Sequence, residues 1–189
     1  MDYNQDMYNE SYWKEKAKLE PKHFIICSEI FKSLSPVNLL DFGCGLGQFV
    51  KIFIDMGVNA YGYEPSKYAN NHRYNNNIAD ENCVNDFDVI ICFDVLEHVT
   101  VEDIDEILGT IKKRSSKESF FVVFSICFKG DPNFAYDKTH ITERTKEWWE
   151  YKLMKAGYTI MTVPDFWTFK NQMLITKVTN EVKPIDTKN

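Results

Sequence analysis

With 189 residues the chain has the size of one domain and enough apolar side chain for a core of its own. Its formal charge of −6 argues against broad, sequence-indifferent binding to nucleic acid or to an anionic membrane, whose phosphates repel an acidic surface. The five cysteines (Cys27, Cys44, Cys83, Cys92 and Cys127) show no C-x-x-C spacing, which argues against a disulfide framework or a thiolate metal centre and for a reducing compartment.

The opening MDYNQDMYNESYWKEKAK is polar and aromatic, without the apolar core of a signal peptide. No run approaches the roughly 20 apolar residues of a membrane span, so a soluble, cytoplasmic protein is the expectation. Residues 12–19 suit a short helix. Residues 23–34 carry Phe24, Ile25, Cys27, Ile30, Phe31 and Leu34 at helical spacing until Pro36 breaks the pattern. A strand is predicted over 37–42, a glycine turn over 43–47, a helix over 49–56 ending at Gly57, and a second strand over 59–64. Pro65 and Ser66 open another short helix, and the asparagine-rich 70–77 reads as a loop. Residues 87–93, FDVIICF, are almost wholly apolar, as in a strand covered on both faces of a parallel sheet. A helix over 101–112, a strand over 119–128 and a helix over 148–156 follow. Two final strands, 158–163 and 172–178, have no helix between them and suit an antiparallel hairpin at a sheet edge. Lys112-Lys113-Arg114, the best basic cluster, reads as a solvated helix cap that suits the helix dipole.

Alternating strands and helices predict an α/β layered fold with a largely parallel sheet. Its ligand belongs beyond the carboxyl ends of the strands, where strand order switches. The organisation expected is an N-terminal helical segment and candidate lid over 1–35, a core over 36–180 and a polar tail over 181–189. Tyr3, Tyr8, Tyr12 and Trp13 suit either a lid across the site or a helix packed on the sheet.

The loop Asp41-Phe-Gly43-Cys44-Gly45-Leu-Gly47 follows a strand and precedes a helix. Glycines let a ligand approach the main chain, although tight turns also need them without any ligand. Glu64 ends the next strand about twenty residues on, where a carboxylate can accept hydrogen bonds from ribose hydroxyls. A dinucleotide fingerprint is G-x-G-x-x-G. Here the spacing is G-x-G-x-G after an aspartate, whose charge repels pyrophosphate and suits an amine-bearing ligand.

DFGCGLGQF, then GYEPS, then FDVIICFDVLEHV together resemble the class I S-adenosylmethionine-dependent methyltransferases. The likeness is greatest to the small-molecule group of ubiquinone-pathway and sugar O-methyltransferases, and it spans residues 39–178. The resemblance implies a Rossmann-like sandwich with a mostly parallel central sheet, a C-terminal antiparallel hairpin, and a shortened region before the family's fourth strand. It implies S-adenosylmethionine as cofactor and S-adenosylhomocysteine as product. Gly43, Cys44 and Gly45 would line the methionine and ribose portions, and Asp41 would hold the amino group. Glu64 would bind both ribose hydroxyls, Pro65 and Ser66 would lie beside the adenine, and Asp94 and Val95 at the methionine side. Ile78-Ala79-Asp80 reads as the vestige of a strand, which would put the family's adenine-side acid at Asp80.

Glu97 and His98 in the LEHV segment shape a cofactor pocket in the resembled family more often than they perform chemistry. Anchoring of the next helix, with His98 on a backbone carbonyl, and orientation of an acceptor by an inward Glu97 are the alternatives. Asp137-Lys-Thr-His140, before the next helix, offers a histidine able to take a proton from a hydroxyl, with Asp137 to orient its ring or raise its basicity. Lining of the acceptor pocket and simple helix capping are its alternatives. Asp94, His98, Asp131, Asp137 and His140 are donors without compact metal spacing, so no metal is expected. Some members of the wider family do hold a catecholate with magnesium. Aromatics at 134, 136, 148, 149, 166, 167 and 169 suit an acceptor wall or core packing, with weight on Phe166, Trp167 and Phe169. The expected function is methyl transfer to a small polar acceptor, foremost a hydroxyl of a sugar or related metabolite. A small amine acceptor and a non-catalytic cofactor-binding scaffold are the alternatives. Neither nucleic acid nor membrane is an expected partner, and a homodimer or a partner subunit stays open.

Overall fold

The computed structural model describes residues 8–71, 73, 74, 77–80 and 82–180. Tyr3 and the tail over 181–189 lie outside these residues. The first helices are α1 (Glu10–Lys16) and α2 (Pro21–Leu34). Pro21 starts α2 two residues ahead of the predicted turn, because a proline at the first position gives up an N–H that has no partner there.

The sheet runs β2 (Asn59–Tyr63), β1 (Asn38–Phe42), β3 (Val89–Phe93), β4 (Ser119–Ser125), β6 (Met173–Thr179), β5 (Thr159–Met161). The strands β2, β1, β3 and β4 are parallel neighbours, and β6 enters antiparallel between β4 and β5. The predicted hairpin therefore forms, but its second strand is the one that joins the sheet. Along β3 the side chains alternate. Val89, Ile91 and Phe93 face the core under α2 and α3 (Gln48–Asp55), while Ile90 and Cys92 face the core under α5 (Ile104–Lys113) and α7 (Lys146–Lys155). Burial on both faces explains why this strand has no polar alternation. All five cysteines are free thiols.

Two predicted strands are cut short for identifiable reasons. β4 ends at Ser125 instead of continuing to Phe128, because the Cys127 N–H leaves the ladder to donate to Glu97 Oε1 at 2.8 Å. The segment 78–80 makes one parallel bridge, Gly62 with Ile78, beside the outer edge of β2. Its anchor is Arg114, only 3% exposed. Nη1 of Arg114 donates to the carbonyls of Asp80 (2.7 Å) and Cys83 (3.3 Å), and the guanidinium lies 4.5 Å from the centre of the Tyr63 ring. Arg114 is thus a buried strut and not the solvated cap read from the sequence. The short region before β3 is held by a side chain instead of a full strand.

Trp167 and Thr168, on the connection between β5 and β6, turn inward onto α2. The Trp167 Nε1–H donates to Ser33 Oγ at 2.9 Å, and the Thr168 N–H and hydroxyl both donate to Glu29 Oε1 at 2.8 Å. Trp149 and Trp167 are core residues, so the proposed acceptor wall loses its tryptophan centre.

Replacing Arg114 with alanine should lower unfolding free energy by about 2–4 kcal/mol, the range for losing charge-assisted hydrogen bonds and leaving a cavity. A solvated cap would lose about 0.5 kcal/mol. Urea unfolding distinguishes the two. Arg114→Lys should recover little, because an ammonium lacks the planar stacking face.

Candidate active site

β1 and β3 are neighbours whose following connections leave in opposite directions, so a crevice opens above their carboxyl ends. Most of the site residues read from the sequence lie around it. Gly43 and Gly45 have φ of +84° and +52°, a region that favours glycine. The Gly43 and Cys44 N–H groups both donate to the Tyr63 carbonyl, at 2.8 and 3.0 Å. A Cβ on Gly43 would stand 2.4 Å from Val95 Cγ2, and one on Gly45 would stand 2.8 Å from Trp13 Cζ3. The first need for bare backbone here is therefore packing by Val95 and by the α1 tryptophan.

The Glu64 carboxylate stands across from the loop, 8% exposed. Oε2 accepts from the Gly45 N–H at 3.0 Å and Oε1 from the Ser66 N–H at 2.9 Å. Each oxygen retains a lone pair. Burial raises its pKa, against these two N–H groups and the Arg73 guanidinium, which favour the charged form. Asp41 is almost fully buried, and its Oδ2 has no partner. Burial pushes its carboxyl up to about 8, with the Glu64 charge adding to the effect and Arg73 opposing it. The Cys44 thiol packs against Gly62 and donates to the Gly45 carbonyl at 3.7 Å. Ser66 is buried and caps α4 (Lys67–Asn71) through the Ala69 N–H at 3.3 Å, whereas Pro65 is exposed. Asp80 follows the Ile78 bridge on the outer side of β2. Its Oδ1 is taken by the Asn82 N–H at 2.7 Å, and no hydrogen bond among the described residues joins it to the glycine loop.

Asp94, at φ +53°, turns the chain at the end of β3, with Oδ1 accepting from Ser125 Oγ at 2.9 Å. Positive φ in a residue other than glycine is a strained conformation, and here it re-aims the next four residues. Glu97 is fully buried. Its Oε1 accepts from Cys127 N–H, its carbonyl accepts from the Ile141 and Thr142 N–H groups at 2.9 and 3.0 Å, and its Oε2 has no partner. Burial, then the nearby Asp94 charge, push its carboxyl up to about 8.

The histidine loop is organised differently from the sequence reading. Asp137 spends its carboxylate on Thr139, accepting from the backbone N–H at 3.0 Å and from Oγ1 at 2.5 Å, and on Lys16 Nζ at 3.2 Å. It makes no hydrogen bond to the His140 ring. Against the cost of burial, Thr139 and the Lys16 ammonium bring its carboxyl down to about 2. An ionised carboxylate only accepts, so Thr139 gives Asp137 its one hydroxyl proton. Thr139 Oγ1, 2.8 Å from His98 Nδ1, must then accept there, which assigns the His98 proton to Nδ1 and the lone pair to Nε2. Burial and the neighbouring His140 lower the His98 pKa to about 4. The ring orienter thus acts on His98 through Thr139, because a tight turn places Asp137 on its own loop backbone. The His140 ring centroid lies 4.6 Å from that of His98 and 5.3 Å from that of Phe134, and burial lowers its pKa also.

Sequence reasoning missed Thr139 and Arg73 and left the direction of Glu97 open, which the fold settles by burying it fully. It also found no metal spacing, yet one donor atom each from Glu97, His98 and His140 lies within 4.8 Å of the others. Asp131 is occupied as the cap of α6 (Pro132–Tyr136), with Oδ2 accepting from Gln172 Nε2 at 2.6 Å. The N-terminal helix packs beside the glycine loop and the histidine loop. α1 sets Trp13 on Gly45, its Lys16 carbonyl accepts from Gln48 Nε2 at 2.7 Å, and Tyr8 reaches His98 with ring centroids 6.1 Å apart.

The methyltransferase-domain family matches residues 13–168. No curated protein sequence matches the chain. Among solved structures, an S-adenosylmethionine-dependent methyltransferase from Archaeoglobus fulgidus shares 14% identity at a TM-score of 0.63, over 91% of this chain and 100% of that one. A chain of the complex between the Haloferax volcanii Trm112 methyltransferase activator and a methyltransferase shares 12% at 0.66, over 96% and 99%. The 1,6-didemethyltoxoflavin N1-methyltransferase of Burkholderia thailandensis, with that compound and S-adenosylhomocysteine bound, shares 16% at 0.62, over 90% and 85%. At these identities the likeness is one of fold.

Asp41 and Glu97 both hold a proton in the fold to about pH 8 that the unfolded chain releases near its ordinary carboxyl values. The folded state therefore binds more protons between these limits, and its stability falls as pH rises, by up to about 1.4 kcal/mol per pH unit for each group. Urea unfolding of the ligand-free protein from about pH 5 to about pH 8 should show this negative slope, and Asp41→Asn should flatten it. A pH-independent Asp41→Asn effect would contradict the burial argument.

Proposed function

We propose a reaction on the following premise: this chain belongs to the methyltransferase-domain family. It transfers the methyl group of S-adenosylmethionine to a hydroxyl of a small polar acceptor, a sugar or related metabolite. The observation that carries the cofactor reading is the pair of buried carboxylates flanking the glycine loop. Asp41 presents an unpartnered oxygen that suits the cofactor's amino group. Glu64, already oriented by two backbone N–H groups, keeps the lone pairs that two ribose hydroxyls require. Gly43, Gly45 and the Cys44 backbone lie along the methionine and ribose portions. Ser66 and Pro65 stand beside the base, with Asp80 farther out along the same edge, and Asp94 and Val95 close the methionine side.

The acceptor approaches from the side of the histidine loop. Its oxygen attacks the methyl carbon in line with the sulfur, the C–O bond forms as the C–S bond breaks, and the sulfur keeps the electron pair as a neutral thioether. The hydroxyl proton passes to His140, whose neutral ring is favoured by burial and whose Nδ1 has no partner. Asp137 positions His98 through Thr139, fixing one wall of the acceptor pocket, and Phe134 forms another beside His140. The protein contributes placement and desolvation, while the sulfonium supplies the reactive group. A chain of the Haloferax complex with an activator has a similar fold, which supports assaying this protein alone and with candidate partner subunits.

Methyl-labelled S-adenosylmethionine, incubated with the protein and size-fractionated cell extract, should place label in a low-mass polar product through a new C–O bond. A C–N bond would reassign the acceptor to amines, and label confined to RNA or protein would refute the small-molecule reading. Glu64→Ala should weaken cofactor binding by at least about tenfold, or about 1.4 kcal/mol, in calorimetric titration.

A further inference from the structure

We propose that Glu97, His98 and His140 form a site for one divalent first-row transition-metal ion of the zinc class, open to an oxygen of the acceptor. The inference deepens the reading above and rests on it only for the acceptor.

Three observations meet at this place. The first is proximity: one donor atom from each residue lies within 4.8 Å of the other two. A metal with bonds near 2.1 Å in tetrahedral geometry would hold its ligands roughly 3.4 Å apart, so side-chain rotations closing roughly 1.4 Å suffice. The second is unspent capacity. Glu97 is fully buried, Oε1 is fixed by the Cys127 N–H, and Oε2 has no hydrogen-bond partner. His140 Nδ1 is likewise buried and unpartnered. Such atoms are destabilising in a folded protein unless something else satisfies them. The third is the support behind His98. Its Nδ1 is held by Thr139, which is held by Asp137, and this leaves Nε2 as the lone-pair nitrogen. A ligating histidine commonly has its other ring nitrogen tied to a carboxylate or hydroxyl in this way, which fixes its tautomer and orientation.

The donor set selects the ion. Two imidazoles and one carboxylate suit zinc and its neighbours, whereas magnesium and calcium favour all-oxygen shells. The nearby carboxylates of Asp94 and Asp137 add favourable potential, partly offset by Lys16 on Asp137. Three protein ligands leave a position for an acceptor oxygen. With the ion bound, His140 serves as a ligand. The ion would lower the pKa of an acceptor hydroxyl in the open position, taking over in the loaded protein the part given above to His140 as proton acceptor.

The test uses the full chain, freed of any histidine tag and of metal by chelation. Titration with Co2+ should produce visible absorption bands saturating at one ion per chain, which Zn2+ then displaces. Glu97→Gln, His98→Ala and His140→Ala should each weaken Co2+ binding at least about tenfold. Thr139→Val, which keeps all three ligands, should weaken it by about tenfold. Calorimetric binding of S-adenosylmethionine serves as a separate readout for folding and for the cofactor site. Co2+ binding no tighter to the parent protein than to the His98→Ala/His140→Ala double variant overturns the metal site, whatever the cofactor does. Absent cofactor binding alongside saturable one-to-one Co2+ binding sustains the metal site and instead removes the cofactor reading.

Discussion

Glu97 is the residue through which the acceptor side of the crevice is built. Its buried carboxylate pulls the Cys127 N–H out of the β4 ladder, and its carbonyl receives both Ile141 and Thr142 from the histidine loop. One residue thus ties the end of β3, the end of β4 and the loop before α7. Burying a carboxylate is unfavourable, and part of that cost is offset by these local bonds. The second oxygen has no hydrogen-bond partner, so the cost of burying the carboxylate is only partly offset. Asp94 supports the arrangement by accepting a strained backbone conformation in order to aim Glu97 and His98 inward.

The cofactor side and the acceptor side are linked by the N-terminal helix. α1 sets Trp13 against Gly45, while Lys16 on the same helix pairs with Asp137 on the histidine loop. The Trp13 contact is an apolar one in a small cluster with Leu46 and Ala69. The Lys16 pair is half exposed and of the kind that contributes about 0–1 kcal/mol. Stability at this helix therefore resides in the aromatic contacts, and the ion pair sets its register.

What could be read from the sequence was what is encoded locally. The strands over 37–42, 59–64 and 87–93 follow from apolar runs between turn residues, and the glycine loop with Glu64 follows from a fixed spacing along one strand–loop–helix unit. α6 was missed although Asp131-Pro132 is a helix-start signal, because a five-residue helix has no periodicity to display. Arg114 could not be placed from its position at a helix end, since its partners at 80 and 83 and the Tyr63 ring come from elsewhere in the chain. Asp137 raises the basicity of His140 through its charge, as expected, but its hydrogen bonds go to Thr139 and not to the His140 ring. The spacing D-x-x-H shows who is near in sequence, while Thr139 and the short turn decide where the carboxylate points. The metal-capable cluster was invisible because its members stand on two loops that only the fold brings together.

Charge is distributed along the crevice in a way that suits the proposed transfer. A sulfonium donor loses its positive charge as the methyl group leaves, so a dense negative field around it would stabilise the starting state more than the transition state. Asp41, the carboxyl most deeply buried beside the loop, resists ionisation through burial and through the charge of Glu64. In the proposed reaction Glu64 accepts from neutral hydroxyls, where bidentate acceptance matters more than field strength. Asp137, the carboxylate lowered to about 2, is screened by Lys16 and spent on Thr139. The Asp137 charge is thus paired with Lys16, while unpartnered buried atoms stand at both ends of the crevice, Asp41 Oδ2 at one and Glu97 Oε2 and His140 Nδ1 at the other. In the proposed reaction, recognition falls to the β1–β2 end and nucleophile activation to the β3–β4 end of one sheet.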